Sequence, residues 1–215
     1  MDFFPEHLSA YIEKYSSPEQ AVLAELNRET HLKHFLPQMV SGHQQGLFLE
    51  LASRMIRPRQ ILEIGTFTGY SAICLAKGLA ENGVLHTIDI NRELEDITSK
   101  YYQKSGMDNR IKQYFGPAAD IIPTLPDEFD LVFIDADKQN YALYYDLVFD
   151  RVSLGGFILV DNVLWSGKVA EPEQNDKDTR ALHAFNQKVA ADDRVTKLIL
   201  SIRDGITLIC KNKQA

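Results

Sequence analysis

From residue 60 onward, short apolar runs alternate with amphipathic helical stretches, and that alternation limits the folds open to the chain. Gln60–Ile64 reads as a strand, and Ser71–Leu79 as a helix with Ala72, Ile73, Leu75, Ala76 and Leu79 on one side. The pair recurs as Val84–Ile88 with Arg92–Lys104, and as Ile111–Phe115 with Ala118–Leu125. It recurs again as Phe129–Ile134 with Tyr141–Phe149, and as Phe157–Val160, after a Gly155-Gly156 turn, with Thr179–Ala191. Strands joined through helices run parallel, and their crossovers are right-handed. The last two runs, Val195–Ile202 and Ile206–Lys211, are separated only by Arg203-Asp204-Gly205, a hairpin signal. The expected fold is α/β: a doubly wound, seven-stranded, mostly parallel sheet with an antiparallel hairpin at one edge.

Extra helices precede this core. Residues 5–36 look helical, with a break near Ser16-Ser17-Pro18 and a new helix starting at the proline. Residues 42–57 carry Leu47, Phe48, Leu51, Ala52, Met55 and Ile56 on one broad apolar face. The expected organisation is one domain over 1–215: a helical cap or interface segment over 1–57 and the α/β core over 58–215. The N-terminal helices are apolar on more than one face, so a homodimer is expected.

Hydrophobic residues make up 45% of the chain, enough for a full core. The net charge of −7 argues against a dedicated nucleic-acid or membrane-surface binder, which needs a basic face. The two cysteines, Cys74 and Cys210, read as small buried hydrophobes. No apolar run is long enough for a membrane span, and the first residues lack a basic region before an apolar stretch. A soluble protein of a reducing cytoplasm is expected.

Two strands end in oxygen ligands. One leads into Asp135-Ala-Asp-Lys138, the other into Asp161-Asn162. Ligands of open parallel sheets gather beyond the carboxyl ends of the strands, so neighbouring strands would place Asp135, Asp161 and Asn162 around one volume. Two carboxylates and an amide suit a hard cation such as Mg²⁺, with Mn²⁺ or Ca²⁺ as substitutes. Lys138 adds a candidate base. Asp137 is the better helix cap, which leaves Asp135 for the metal.

The first strand and turn read Glu63-Ile-Gly-Thr-Phe-Thr-Gly-Tyr-Ser71. No glycine stands two places after Gly65, so this is not the dinucleotide fingerprint. An acid at Glu63 would repel a pyrophosphate and welcome an ammonium group. Asp89, ending the second strand, suits two ribose hydroxyls. S-adenosylmethionine fits these features better than NAD, although Gly65 and Gly69 taken alone also read as a plain tight turn.

Those segments, with Ile134-Asp-Ala-Asp-Lys138, Val160-Asp-Asn-Val-Leu-Trp-Ser-Gly167 and Asp204-Gly-Ile-Thr-Leu208, resemble the cation-dependent O-methyltransferases of the caffeoyl-CoA and catechol type. The likeness runs from about Leu36 to Lys211. It implies a Rossmann-like, class I methyltransferase fold, S-adenosylmethionine as methyl donor and a divalent cation. Position by position, it implies Asp135, Asp161 and Asn162 as metal ligands. It implies Met39, Ser41, Glu63, Gly65, Thr66, Ser71, Asp89, Ala118 and Asp135 around the cofactor, and Lys138 as general base. Trp165 and Ser166 match acceptor-side positions; Ser166 stands where the plant enzymes carry an asparagine. Simple core filling is an equal reading of Trp165. The polar run Glu171–Asp178 reads as a mobile loop at the acceptor mouth or as a solvated loop.

The function expected is methyl transfer to a hydroxyl of a small vicinal-diol aromatic. The rivals are a nucleotide-cofactor oxidoreductase, a methyltransferase acting on RNA or protein, and a non-catalytic S-adenosylmethionine-binding protein.

Overall fold

The computed structural model describes residues 5–125, 128–171, 173 and 176–213. Its strands are β1 (Gln60–Ile64), β2 (Val84–Asp89), β3 (Ile111–Phe115), β4 (Phe129–Ile134), β5 (Val152–Asp161), β6 (Val195–Leu200) and β7 (Ile206–Lys211). Its helices are α1 (Glu6–Tyr15), α2 (Ala21–Lys33), α3 (Gly42–Ile56), α4 (Tyr70–Ala76), α5 (Glu95–Ser105), α6 (Ala118–Ile121), α7 (Tyr141–Phe149) and α8 (Lys177–Ala191). The strands form one seven-stranded sheet in the order β3-β2-β1-β4-β5-β7-β6. Strands β1 to β5 pair in parallel, and β7 runs antiparallel to both β5 and β6. The doubly wound sheet with its hairpin edge is thus observed.

Side-chain alternation along the strands feeds two cores. On β4, Leu131 and Phe133 join a layer built with Leu26 of α2, Leu49 of α3, Ile73 of α4 and Tyr101 of α5. Val132 and Ile134 point the other way, into a layer with Ile122, Tyr145 of α7 and Phe185 of α8. Both faces are covered, which is why β4 is apolar almost throughout. Helices α2 and α3 therefore belong to the packed layers of the fold, whereas α1 buries no residue. Among the described residues, no helix is long and apolar enough to cross a membrane.

Three boundaries differ from expectation. Pro18 does not open a helix: α2 begins at Ala21 after an extended Gln20. Gly155-Gly156 is not a turn before β5 but lies within it. There the pairing steps from Phe129↔Val152 to Leu131↔Phe157, and Gly155 takes φ +79. Extra residues on one strand are accommodated by such an irregularity, and glycine tolerates the backbone it needs. Helix α6 lasts four residues and gives way to a 3₁₀ turn at Ile122–Thr124, where Pro123 lacks the donor that would continue it. In the loop over 171–178, Pro172, Gln174 and Asn175 lie outside the described residues. Asp176 ends the loop by accepting from the Thr179 N–H at 3.0 Å, so that it caps α8.

Candidate active site

Along the sheet the chain winds outward from β1 to β3, then returns to β4 on the other side of β1. At the carboxyl ends of these strands opens a cleft of about 1200 Å³, the place where such sheets bind ligands. Gly65, Thr66, Ser71, Asp89, Ala118, Met39 and Ser41 line one part of it. Asp135, Lys138, Asp161, Asn162 and Trp165 line another. The sequence-predicted residues therefore converge, with two exceptions. Glu63 is 0% exposed and does not line the cleft, although its neighbours Ile64 and Gly65 do. Ser166 is exposed and likewise lies outside the cleft wall.

The turn after β1 is shaped by hydrogen bonds from the next strand. Asp89 Oδ2 accepts from the backbone N–H groups of Thr66 at 3.1 Å and Phe67 at 2.7 Å, and its Oδ1 accepts from Asn91 N–H at 2.8 Å. Asp89 thus orders the loop, and its Oδ1, which has one donor, retains capacity for another. Beneath it, the Thr87 hydroxyl donates to Glu63 Oε2 at 2.5 Å and accepts from the Thr66 hydroxyl at 2.5 Å. Burial, above all, raises the Glu63 carboxyl to about 8. Its other oxygen, Oε1, has no partner. An unanswered buried acceptor under the turn, with Asp89 at the adjacent strand end, fits a ligand carrying a cationic group and a ribose. Glu63 lies below the turn and not in the cleft wall.

The second half sits on β4 and β5. These strands are parallel neighbours in the register Ile134↔Val160, so Asp135 and Asp161, one residue further along each, emerge side by side. Asn162 follows in the left-handed region at φ +59, where asparagine is better tolerated than most residues. Asp161 is 2% exposed. Its Oδ2 accepts from Gln45 Nε2 at 2.6 Å and its Oδ1 from the Asn162 N–H at 2.7 Å. Burial first, then the charge of Asp135, raises the Asp161 carboxyl to about 7. A divalent cation would stabilise both carboxylates in their ionised forms, so these residues fit one. Asp135, Asp161 and Asn162 would hold it. Among the described residues, no group of three His, Cys, Asp or Glu side chains is arranged to hold a metal. A set of two carboxylates and one amide leaves coordination positions for water and substrate.

Lys138 Nζ donates to Asp135 Oδ1 at 3.0 Å and to Tyr141 Oη at 2.6 Å. Asp137 does not cap a backbone N–H, as expected from its position; it accepts instead from Asn140 Nδ2 and, at 2.5 Å, from the Tyr144 hydroxyl. Trp165, half-buried, packs partly against the core and also lines the cleft. Ser166 is held by its backbone, which donates to Asp204 Oδ1 at 2.5 Å.

Sequence reasoning missed Gln45, Tyr141 and Arg203. Tyr141 lies three residues past Lys138, a spacing that puts neighbours on one helical face and could have marked it. Gln45 carried no local signal, because its partner lies 116 residues away.

Residues 13–212 match the family model described as O-methyltransferase. The chain belongs to the O-methyltransferase family. The enzyme is 35% identical over 198 residues to the probable caffeoyl-CoA O-methyltransferase 2 of Dictyostelium discoideum, across 89% of this chain and 84% of that one. It is 37% identical over 193 residues to caffeoyl-CoA O-methyltransferase 1 of Zea mays, across 84% of this chain and 75% of that one. Among solved structures, the O-methyltransferase TomG of Streptomyces achromogenes, involved in tomaymycin synthesis and solved in complex with SAM, matches with a TM-score of 0.89. That match has 30% identity and spans 96% of each chain. The expectation of an S-adenosylmethionine-dependent O-methyltransferase is thereby borne out at the level of family and fold.

Proposed function

We propose that the enzyme transfers a methyl group from S-adenosylmethionine to one hydroxyl of a small vicinal-diol aromatic, with Mg²⁺ or another divalent cation such as Mn²⁺ or Ca²⁺ required. One observation carries this reading. Asp135, Asp161 and Asn162 line the same cleft as the Gly65 turn and Asp89, so acceptor and donor would meet in one volume. S-adenosylmethionine supplies a methyl group activated on a sulfonium, and a bound cation would favour the phenolate and fix its oxygen.

The chain's own residues have separate tasks. Asp89 would accept from the ribose hydroxyls while it keeps the loop at Thr66 and Phe67 in shape. Ala118, which lines the cleft after Gly116-Pro117, would meet the adenine through its backbone. Met39 and Ser41, which line the cleft from the segment before α3, would cover the cofactor. Lys138, held by Asp135 and Tyr141, would take the phenolic proton at Nζ. Trp165 would pack on the acceptor ring, while Ser166, the next residue, is exposed outside the cleft wall. Alignment of the two reacting atoms should supply much of the acceleration.

The reading is tested with labelled S-adenosylmethionine, Mg²⁺ and paired acceptors that differ only in one hydroxyl. Transfer to the vicinal diol and not to its monohydroxy partner is expected. Equal transfer to both would sink the diol reading.

The exposed Leu8, Tyr11 and Tyr15 of α1 support a homodimer joined through the N-terminal helices. A concentration-independent monomer mass in light scattering would contradict it. The unpaired Cys74 and Cys210 support a reducing, cytoplasmic setting, and the acidic net charge supports a small-molecule acceptor with no nucleic acid or membrane partner.

A further inference from the structure

Gln45 is fully buried on α3, between two groups of opposite character. Its Nε2 donates to Asp161 Oδ2 at 2.6 Å, and its Oε1 accepts from Arg203 Nη1 at 3.1 Å. Guanidinium has donors only, and an ionised carboxylate has acceptors only. The amide can therefore stand in one orientation. Flipped, it would set NH₂ against the guanidinium, two groups that can only donate. Arg203 is itself anchored, since Nη1 also donates to the carbonyls of Ser41 and, at 3.0 Å, Val40. It stands at φ +47, a backbone that persists only where the surroundings enforce it. The adjacent Asp204 fixes the loop after Asp161, because its carbonyl accepts from Leu164 N–H at 2.9 Å and its carboxylate from Ser166 N–H.

We infer that Gln45 is a positioning residue for the cation site, its amide orientation set by Arg203. Resting on the cation reading of Asp135, Asp161 and Asn162, this inference adds what aims Asp161. Gln45 on Oδ2 and the Asn162 N–H on Oδ1 hold the Asp161 carboxylate from both sides and leave each oxygen capacity for one more partner. Partners behind a ligand typically change metal affinity by about 10- to 100-fold when removed.

The test is Mn²⁺ binding to the cofactor-free chain by electron paramagnetic resonance, beside S-adenosylmethionine binding by calorimetry without cation, and thermal unfolding. Gln45→Met, close in volume and without polar atoms, should raise the Mn²⁺ Kd about 10-fold or more. The S-adenosylmethionine Kd should change less than the Mn²⁺ Kd, since Gln45 bonds Asp161 directly and reaches Ser41 only through Arg203. If Gln45→Met does not fold, Gln45→Asn carries the same expectation, since it keeps an amide but is one methylene too short to span both partners. An unchanged Mn²⁺ Kd in the folded variant would overturn the inference, as would an equal loss of both affinities. Asp161→Ala separates the two levels. If the unaltered chain binds no Mn²⁺, the cation reading falls and this inference with it. If the unaltered chain binds Mn²⁺, Asp161→Ala does not, and Gln45→Met binds normally, only the role of Gln45 falls.

Discussion

Gly65 lies so close to Asp135 that a Cβ on it would stand 1.9 Å from the Asp135 carbonyl oxygen. The turn after β1 and the Asp135 end of β4 are thus in backbone contact, with Asp135 N–H donating to Ile64 O at 2.8 Å. Only glycine permits this approach, and Gly65 also takes φ +99. Gly65 therefore joins the two halves of the cleft directly.

Gly65→Ala should therefore damage both halves at once. A destabilisation of about 2 kcal/mol or more is expected, from the clash and the left-handed backbone together. Activity should fall further than stability explains. Urea unfolding and S-adenosylmethionine calorimetry on the same preparation check this; a variant with unaltered midpoint and affinity would contradict it.

Lys138→Met tests the base. Lys138 Nζ touches Asp135 and Tyr141, and general-base catalysis contributes about 10²- to 10⁴-fold. The turnover number should fall by that order while S-adenosylmethionine affinity changes little. A turnover number within about threefold of the unaltered enzyme would assign the lysine to structure alone, since general-base catalysis is worth far more.

Much of this could be read in the sequence because the signals were local. The strand–helix alternation gave β1, β3, β4 and β7 their observed limits, and strand ends are where ligands collect, which located Asp135, Asp161, Asn162 and Asp89. What could not be read depended on distant partners. Gln45 reaches across 116 residues to Asp161. Glu63 reads as a cleft acid, yet Thr87 on the next strand turns it inward. The continuation of β5 through Gly155-Gly156 is set by its pairing with β4, which overrides the local turn signal of two glycines.

Acid should loosen the helical layer over the cofactor turn. Hydrogen bonds from Lys100 first, then Lys33 and Tyr101, hold the Glu29 carboxyl down at about 2, below its ordinary value. The next residue, Thr30, bonds the Thr68 hydroxyl at 3.1 Å, which links α2 to that turn. A depressed folded-state value means that the stabilisation is complete above the unfolded value, about 4.3, and is lost as pH falls toward 2. In thermal unfolding, the gap in Tm between the unaltered chain and Glu29→Gln should be widest near pH 6 and narrow toward pH 3. A constant gap would show that Glu29 contributes no proton-linked stability.

The most direct test of the central claim is methyl transfer from labelled S-adenosylmethionine to a vicinal diol, measured with Mg²⁺, with EDTA and with Asp161→Ala. The expected result is transfer with Mg²⁺ that is abolished by EDTA, restored by added Mg²⁺, and lost in Asp161→Ala while the variant still binds S-adenosylmethionine. Transfer that continues unchanged in EDTA and in Asp161→Ala would contradict a cation held by Asp135, Asp161 and Asn162.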